Sequence, residues 1–344
     1  MTADDIRMRR KIQQLGSSTL AVTLPADWTR EHDITKGDEL VVQQDESGGS
    51  LLLVPEHPST ADTVATIDAS ELETAALERA ILAQYVLGRQ LIRIEADRLP
   101  PAHLEAIDAV EAQLMGLGVV ERSREHVDIR CSVAPGDFEL PTLLERLWRT
   151  ESMIREEAIE AFIHGDPDGA QRSLHYESQA EKLFYLFLRL LFATYRNPRL
   201  NRTMGLETGF PLIGYRSIAQ DVALLTACDC RIARLVDDWG PLDEETRTVF
   251  LAATTALDDA ISGTRAAVSD PTPESTEAAR EAMGTLTDRI EKAQDFLEAE
   301  RPEPVLALQR FLSALRQMGE HASDSLEVAT HLSARSVSTV ETDS

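Results

Sequence analysis

Past Leu140 the chain is cut at Gly165-Asp166-Pro167, Asn197-Pro198, Phe210-Pro211, Gly240-Pro241, Asp270-Pro271 and Arg301-Pro302, and apolar residues three and four apart fill the stretches between. Proline removes a backbone donor and clashes with the preceding turn, so each cut ends a helix. The pattern predicts an all-α region of six helices, roughly 140–164, 167–196, 212–238, 243–268, 273–299 and 304–331. Ala-Val-Ser-Asp-Pro at 267–271 matches Ile-His-Gly-Asp-Pro at 163–167 in closing the first of three helices. A duplicated three-helix bundle is the economical reading. In the last helix Leu308, Phe311, Leu315, Met318, Ala322, Leu326 and Ala329 form one apolar seam. In the second, Leu183 to Phe192 leave almost no polar face, so this helix must be covered on several sides.

The first 55 residues read differently. Leu20, Val22 and Leu24 alternate with Ala21 and Thr23, the period of a strand with one buried face, and Pro25 opens a short helix to about His32. Lys36-Gly37-Asp38 reads as a turn, and Leu40 to Gln44 with Leu51 to Val54 flank Ser47-Gly48-Gly49-Ser50 as a hairpin. About 45 residues cannot bury a sufficient core alone. This unit is expected to pair with a second copy.

Between the two lies a boundary at Pro55-Glu56-His57-Pro58-Ser59-Thr60, followed by helix 71–87, strand 91–95, helix 101–115 and strands 118–122 and 126–133. The order αβαββ predicts a small layer with its helices on one face of a sheet. The whole is expected to be a multidomain α+β chain, with domains at 1–55, 56–138 and 139–332 and a disordered tail at 333–344.

Composition bounds the setting. Against 59 Asp plus Glu stand 34 Lys plus Arg, for a net charge of −25, and only Lys11, Lys36, Lys182 and Lys292 are lysines. Acid-rich, lysine-poor surfaces suit molar salt, where screening acts over about 3 Å. An extreme halophile is the expected source; a GC-rich genome encoding an ordinary acidic protein is the competing one. No apolar run is long enough for a membrane span, and MTADDIRMRRK lacks a signal-peptide core. A cytoplasmic protein without membrane insertion is expected. Cys131, Cys228 and Cys230 make no disulfide framework, and Cys228 and Cys230 point apart on a helix, as core thiols rather than joint metal ligands.

RRKIQQLGSS, a strand, LPADW and ITKGDELVV together resemble the AbrB-type swapped-hairpin domain, in which two chains interlace into one small β-barrel. The resemblance implies a homodimer that contacts DNA through basic residues around the first strand and through the loop after it. Carried onto this chain, those positions are Arg9, Arg10 and Lys11, then Gln13, Ser17, Ser18 and Thr19, with Arg7 in the same basic run. Where the family often has an Arg in the loop, this chain has Ser17-Ser18-Thr19. The bland reading of Arg7 to Lys11 is a solvated terminal run, with the β-unit kept only for dimerisation. At high salt, phosphate attraction fades, so recognition would rest on base-edge hydrogen bonds and shape.

The six helices, with LRQMGEHASDSLEVA in the last, resemble PhoU-type phosphate-signalling proteins, and the full order is similar to archaeal phosphate uptake regulators that join both modules. The resemblance implies a transcriptional regulator linked to phosphate uptake. The alternative is an interaction protein that docks on the phosphate transporter or its signalling machinery; pairing of dimers into tetramers stays open. The family's metal signature, an acid and then Asp four positions on, falls here on Ala223 and Ala227 and on Arg316 and Glu320. No metal or other cofactor is expected. Asp229 sits where Ile218, Val222, Leu225 and Ile232 call for an apolar residue, and an Arg partner is expected for it. The i,i+4 pairs Glu156/Glu160 and Glu177/Glu181 are expected on a solvated face, His103 and His126 in structural roles, and His321, near Glu320 and Asp324, in a structural role over a weak metal or anion-linked site. Without a P-loop, dinucleotide fingerprint or HExxH, no enzyme and no catalytic residue is expected.

Overall fold

Gly16 adopts φ +78°, a conformation that L-residues with a Cβ avoid, and this lets Gln13–Leu15 (β1) turn back on Thr19–Ala21 (β2) in an antiparallel ladder pairing Leu15 with Thr19 and Gln13 with Ala21. This is a computed structural model, and it describes residues 9–44, 51–55, 64–196, 200, 204–205, 210–237 and 239–340. It divides into two units, 1–65 and 66–344.

In the first unit the expected strand over Leu20–Leu24 is shorter and earlier, because the turn at Gly16 makes a hairpin of the residues on both sides of it. Helix α1, Ala26–Glu31, starts after Pro25, whose carbonyl accepts from Thr29 N at 3.0 Å. The turn at Thr35–Asp38 is held by the Asp38 carboxylate, which accepts from Thr35 N at 2.7 Å and Thr35 Oγ1 at 3.1 Å. Strands β3 (Leu40–Gln44) and β4 (Leu51–Pro55) pair antiparallel, Leu40 opposite Pro55. The Gly-rich loop predicted between them lies outside the described residues, as does Arg7. The two ladders are separate two-stranded sheets, so a single chain does not close the expected barrel among the described residues.

The second unit begins with a four-stranded sheet of order β5-β6-β8-β7. Its elements are β5 (Val64–Asp68), α2 (Thr74–Val86), β6 (Leu91–Glu95), α3 (Pro101–Gln113), β7 (Leu117–Arg122) and β8 (His126–Cys131). Sequence periodicity found the last five; β5 is only five residues long and places a single residue, Ile67, fully in the core. The layer is therefore βαβαββ rather than αβαββ. Asp128, buried on β8, accepts two bonds of 2.8 Å from the Arg93 guanidinium, which holds its carboxyl below the usual value. His103 is buried in α3, and His126 pairs with Glu121 at 3.1 Å.

The helical part follows as α4 (Leu140–His164), α5 (Pro167–His175), α6 (Glu177–Arg196), α7 (Phe210–Ala233), α8 (Glu244–Ser269), α9 (Pro273–Glu300) and α10 (Val305–Val340). The expected 167–196 helix breaks at Tyr176, whose N–H bonds back three residues to Ser173 rather than four. α10 runs to Val340, so the stretch predicted to be a tail from 333 is helical over most of its length. Helix α4 packs on α5, α6 and α7; α8, α9 and α10 pack on one another; α7 and α10 join the two sets. Leu186, Phe187 and Leu190 of α6 enter the core shared by these helices, while Tyr185 packs on the core of the sheet layer. Arg189, also on α6, is buried, donates to Tyr85 O at 2.7 Å and lies 4.9 Å over the Tyr85 ring. The helix without a polar face is covered on one side by helices and on the other by α2.

Gly165 closes α4 at φ +59°, and a Cβ there would meet Gly240 N at 2.8 Å, which is backbone and cannot swing away. Gly165→Ala is expected to cost about 2–3 kcal/mol, combining left-handed strain of about 1–2 kcal/mol with displacement of the Trp239–Gly240 segment. Chemical denaturation measures it; a loss under about 0.5 kcal/mol would show that the segment yields freely.

Candidate nucleic-acid interface

The basic run enters the first unit just before β1. Arg9, Arg10, Lys11, Gln13, Ser17, Ser18 and Thr19 are all exposed. The hairpin does not gather them at one point. Ser17 and Ser18 form its closed end, and Arg9 to Lys11 lead into its open end, so that at about 3.4 Å per residue Lys11 stands at most roughly 14 Å from Leu15. Gln13 and Thr19 lie on the ladder between them. Such a row of donors matches the length of a groove rather than a single base pair, and Arg can reach guanine or phosphate with a two-pronged fork.

The apolar residues of the same unit are on the surface as well. Ile12, Leu15, Leu20 and Leu51 are 60–69% exposed, Val22 and Val42 more than half exposed, and α1 contains no buried residue. Among described residues 9–42 none is fully buried. Of the alternating residues, Leu20 and Val22 stay exposed and Leu24 is partly covered among the described residues. Fully burying a Leu, Ile or Val is worth about 1.5–3 kcal/mol, so a matching surface would convert this hairpin pair into a core.

Charged groups also lie inside the second unit. Glu151 and Arg155, one turn apart on α4, are both buried and bonded at 2.8 Å, and Arg155 makes a second ion pair with Asp258 of α8. Asp229 of α7 is fully buried, yet neither of its oxygens has a hydrogen-bond partner among the described residues. The Arg partner expected for Asp229 is present only as a nearby charge, Arg155, whose bonds go to Glu151 and Asp258. Burial and the Glu151 charge push the Asp229 carboxyl well above the usual carboxylate range. Its neighbours Cys228 and Cys230 are buried thiols; burial raises both, Cys230 to about 12. Glu177, expected on a solvated face, is partly exposed, and its two carboxylate oxygens accept from Arg234 Nη2 at 2.8 and 2.6 Å.

Asp221 of α7 lies with His321 and Asp324 of α10, one ligand atom of each within 4.8 Å of the others. Two carboxylates and an imidazole at that spacing could hold a transition metal. His321 thus groups across two helices with Asp221 and Asp324, and Glu320 is not a member. Asp221 also accepts from Ser325 Oγ at 2.9 Å. Burial pushes the Asp221 carboxyl up from 3.8 to about 6, against the opposing Ser325 bond. A carboxyl raised in the folded state binds more protons there than in the unfolded chain, so the contribution of Asp221 to stability is greatest below about pH 4, falls as the pH rises to about 6, and is level above. Asp221→Asn is expected to flatten that stretch of the stability profile, as measured by thermal melts from pH 4 to 7 in metal-free buffer. An unchanged slope would assign it to other groups.

A family model described as "Antidote-toxin recognition MazE, bacterial antitoxin" matches residues 13–61. The match supports a MazE/AbrB-type domain in the unit that carries the basic run, and with it a regulatory role of DNA-binding or antitoxin type. No curated protein and no solved structure matches the chain. No helix among the described residues is long and apolar enough to cross a membrane.

Proposed function

We propose that the chain is a homodimeric DNA-binding regulator of transcription, with the first units of two copies interlaced into one β-barrel and Arg9, Arg10 and Lys11 of each copy on DNA. The single observation that carries this reading is that the 13–61 match begins directly after an exposed basic run, Arg9 to Lys11, and covers strands whose apolar residues are left exposed among the described residues. A two-fold pair would present two basic runs and two Ser17–Ser18 turns, which suits a roughly palindromic site. Gln13, Ser17, Ser18 and Thr19 supply neutral donors and acceptors that salt weakens less than ion pairs.

The helical part receives a signal connected with phosphate uptake. This step rests on the resemblance of the helices to PhoU-type proteins. A signal changes DNA binding only if it binds two states of the dimer with different affinity. The test is genome-wide crosslinking and immunoprecipitation in phosphate-replete and phosphate-starved cells, with an Arg9/Arg10/Lys11→Ala control. Sharp sites near uptake genes, lost in the control and altered by starvation, are expected. Sites that ignore phosphate would leave the regulator and remove the phosphate link; no sites above control would favour docking on the transporter machinery. The matched family's description favours a second reading, an antitoxin-type unit whose exposed strands bind a toxin-like protein, and co-purification of one defined partner with the first unit would support it.

A further inference from the structure

In a chain with 59 acidic and 34 basic side chains, one cavity of about 340 Å³ has only cations among its charged lining residues. It lies where the end of α7 meets the early turns of α10, between Arg231, Arg234, Leu235, Arg310, Ser313 and Ala314. The other described cavities are acidic or mixed: Asp68, Glu95, Asp97, Glu121 and Glu125 line one, Glu291 and Glu320 face Arg316 in a second, and Asp137 and Glu139 face Arg146 in a third.

We propose that this cavity binds a compact polyanion carrying phosphoryl or carboxyl groups. Two of its arginines are already oriented. Arg231 donates through Nη2 to Gln317 on α10, and Arg234 donates through Nη2 to both oxygens of Glu177. That Glu177 bond neutralises Arg234 and leaves the charge of the cavity to Arg231 and Arg310. Arg310 projects from the facing helix, exposed and without an ion-pair partner among the described residues. A guanidinium offers parallel N–H donors that fit two oxygens of a phosphoryl or carboxyl group, and Ser313 adds a hydroxyl. Leu235 and the buried Ala314 make part of the wall apolar, which strengthens such bonds relative to open solvent. The volume is at the small end for ligand sites, right for a diphosphate, a sugar phosphate or a tricarboxylate and too small for a folded partner. At molar salt a point charge on the surface is screened within about 3 Å, so a cavity that works there has to use directional bonds, which the guanidinium N–H groups of Arg231 and Arg310 provide.

The assignment goes beyond the reading of the first unit, and its test contains no DNA, so the two fail separately. The full chain is titrated calorimetrically with pyrophosphate, with citrate and with sulfate, in KCl at matched ionic strength. Saturable binding of pyrophosphate or citrate is expected, at least tenfold tighter than sulfate, and whichever saturates identifies the phosphoryl or the carboxyl class. Arg310→Gln, a surface change that leaves the fold intact, is expected to weaken it at least tenfold, and Arg280→Gln, an exposed arginine of α9, to leave it unchanged. Binding no tighter than sulfate, binding that survives Arg310→Gln, or an equal loss in Arg280→Gln would each overturn the proposal.

Discussion

Arg155→Met is expected to cost about 3–5 kcal/mol, a large share of the roughly 5–15 kcal/mol that ordinarily holds a domain folded. Among the described residues, Arg155 is the buried cation of a group that contains Glu151 and Asp229 on neighbouring helices, with Asp258 half exposed at its edge. Removing the guanidinium leaves Glu151 without its 2.8 Å bond and two carboxyls facing each other in the core. Both already sit above the usual carboxylate range, mainly through burial. In the variant each must be protonated to remain buried. The sign follows: the folded state holds protons that the unfolded chain releases, so the variant should lose more stability than the parent as the pH rises above the ordinary carboxylate value of about 4. Denaturant unfolding in molar KCl at pH 5 and pH 8 measures both effects. Replacing the whole group, Glu151→Met with Arg155→Met and Asp229→Leu, should recover most of the loss, since an apolar set of similar volume needs no desolvation of charge. A single-variant loss under about 1 kcal/mol would mean that water reaches the cluster.

Leu20→Asp should abolish DNA binding while leaving the melting of the helical part unchanged. Leu20 is 68% exposed in one chain and lies on β2 opposite Gln14, with exposure comparable to that of Ile12 and Leu15. If the unit is completed by a second copy, Asp at this position puts a carboxylate into the shared core and removes a side chain worth about 1.5–3 kcal/mol per copy. Two copies double the effect, so pairing of the first units weakens at least a hundredfold, because each 1.4 kcal/mol is tenfold. Fluorescence anisotropy on a selected DNA site reads the outcome. A variant that binds DNA as the parent does would show that these strands are not an interface, and the exposed face would then need another occupant.

Much of this could be read from residues. Gly165-Asp166-Pro167 and Asp270-Pro271 end α4 and α8 within a residue of the predicted places, since proline and left-handed glycine act on their own turn and need no tertiary partner. The α6 sequence announced that it would be covered on several sides. What covered it was not legible, because Arg189 reaches Tyr85 across 104 residues. Gly16 was the signal that would have revealed β1, but a glycine between Leu15 and Ser17 fixes the turn only once its φ is known. Asp229 stood out as a polar residue on an apolar stripe; that it would be left without a hydrogen bond depended on the rotamer of Arg155, one helix away. Asp221, His321 and Asp324 come together only through the register of α7 against α10, which no local pattern encodes.

The sequence by itself determined where helices start and stop, which faces are apolar and that the first unit is too small to bury its own strands, because these follow from backbone sterics, side-chain periodicity and the ratio of surface to volume. Tertiary structure alone decided which charges share the core, what caps α6 and where three arginines meet in an acidic chain. Those depend on the relative rotation and register of packed helices, set by the sum of many small contacts and by no residue alone.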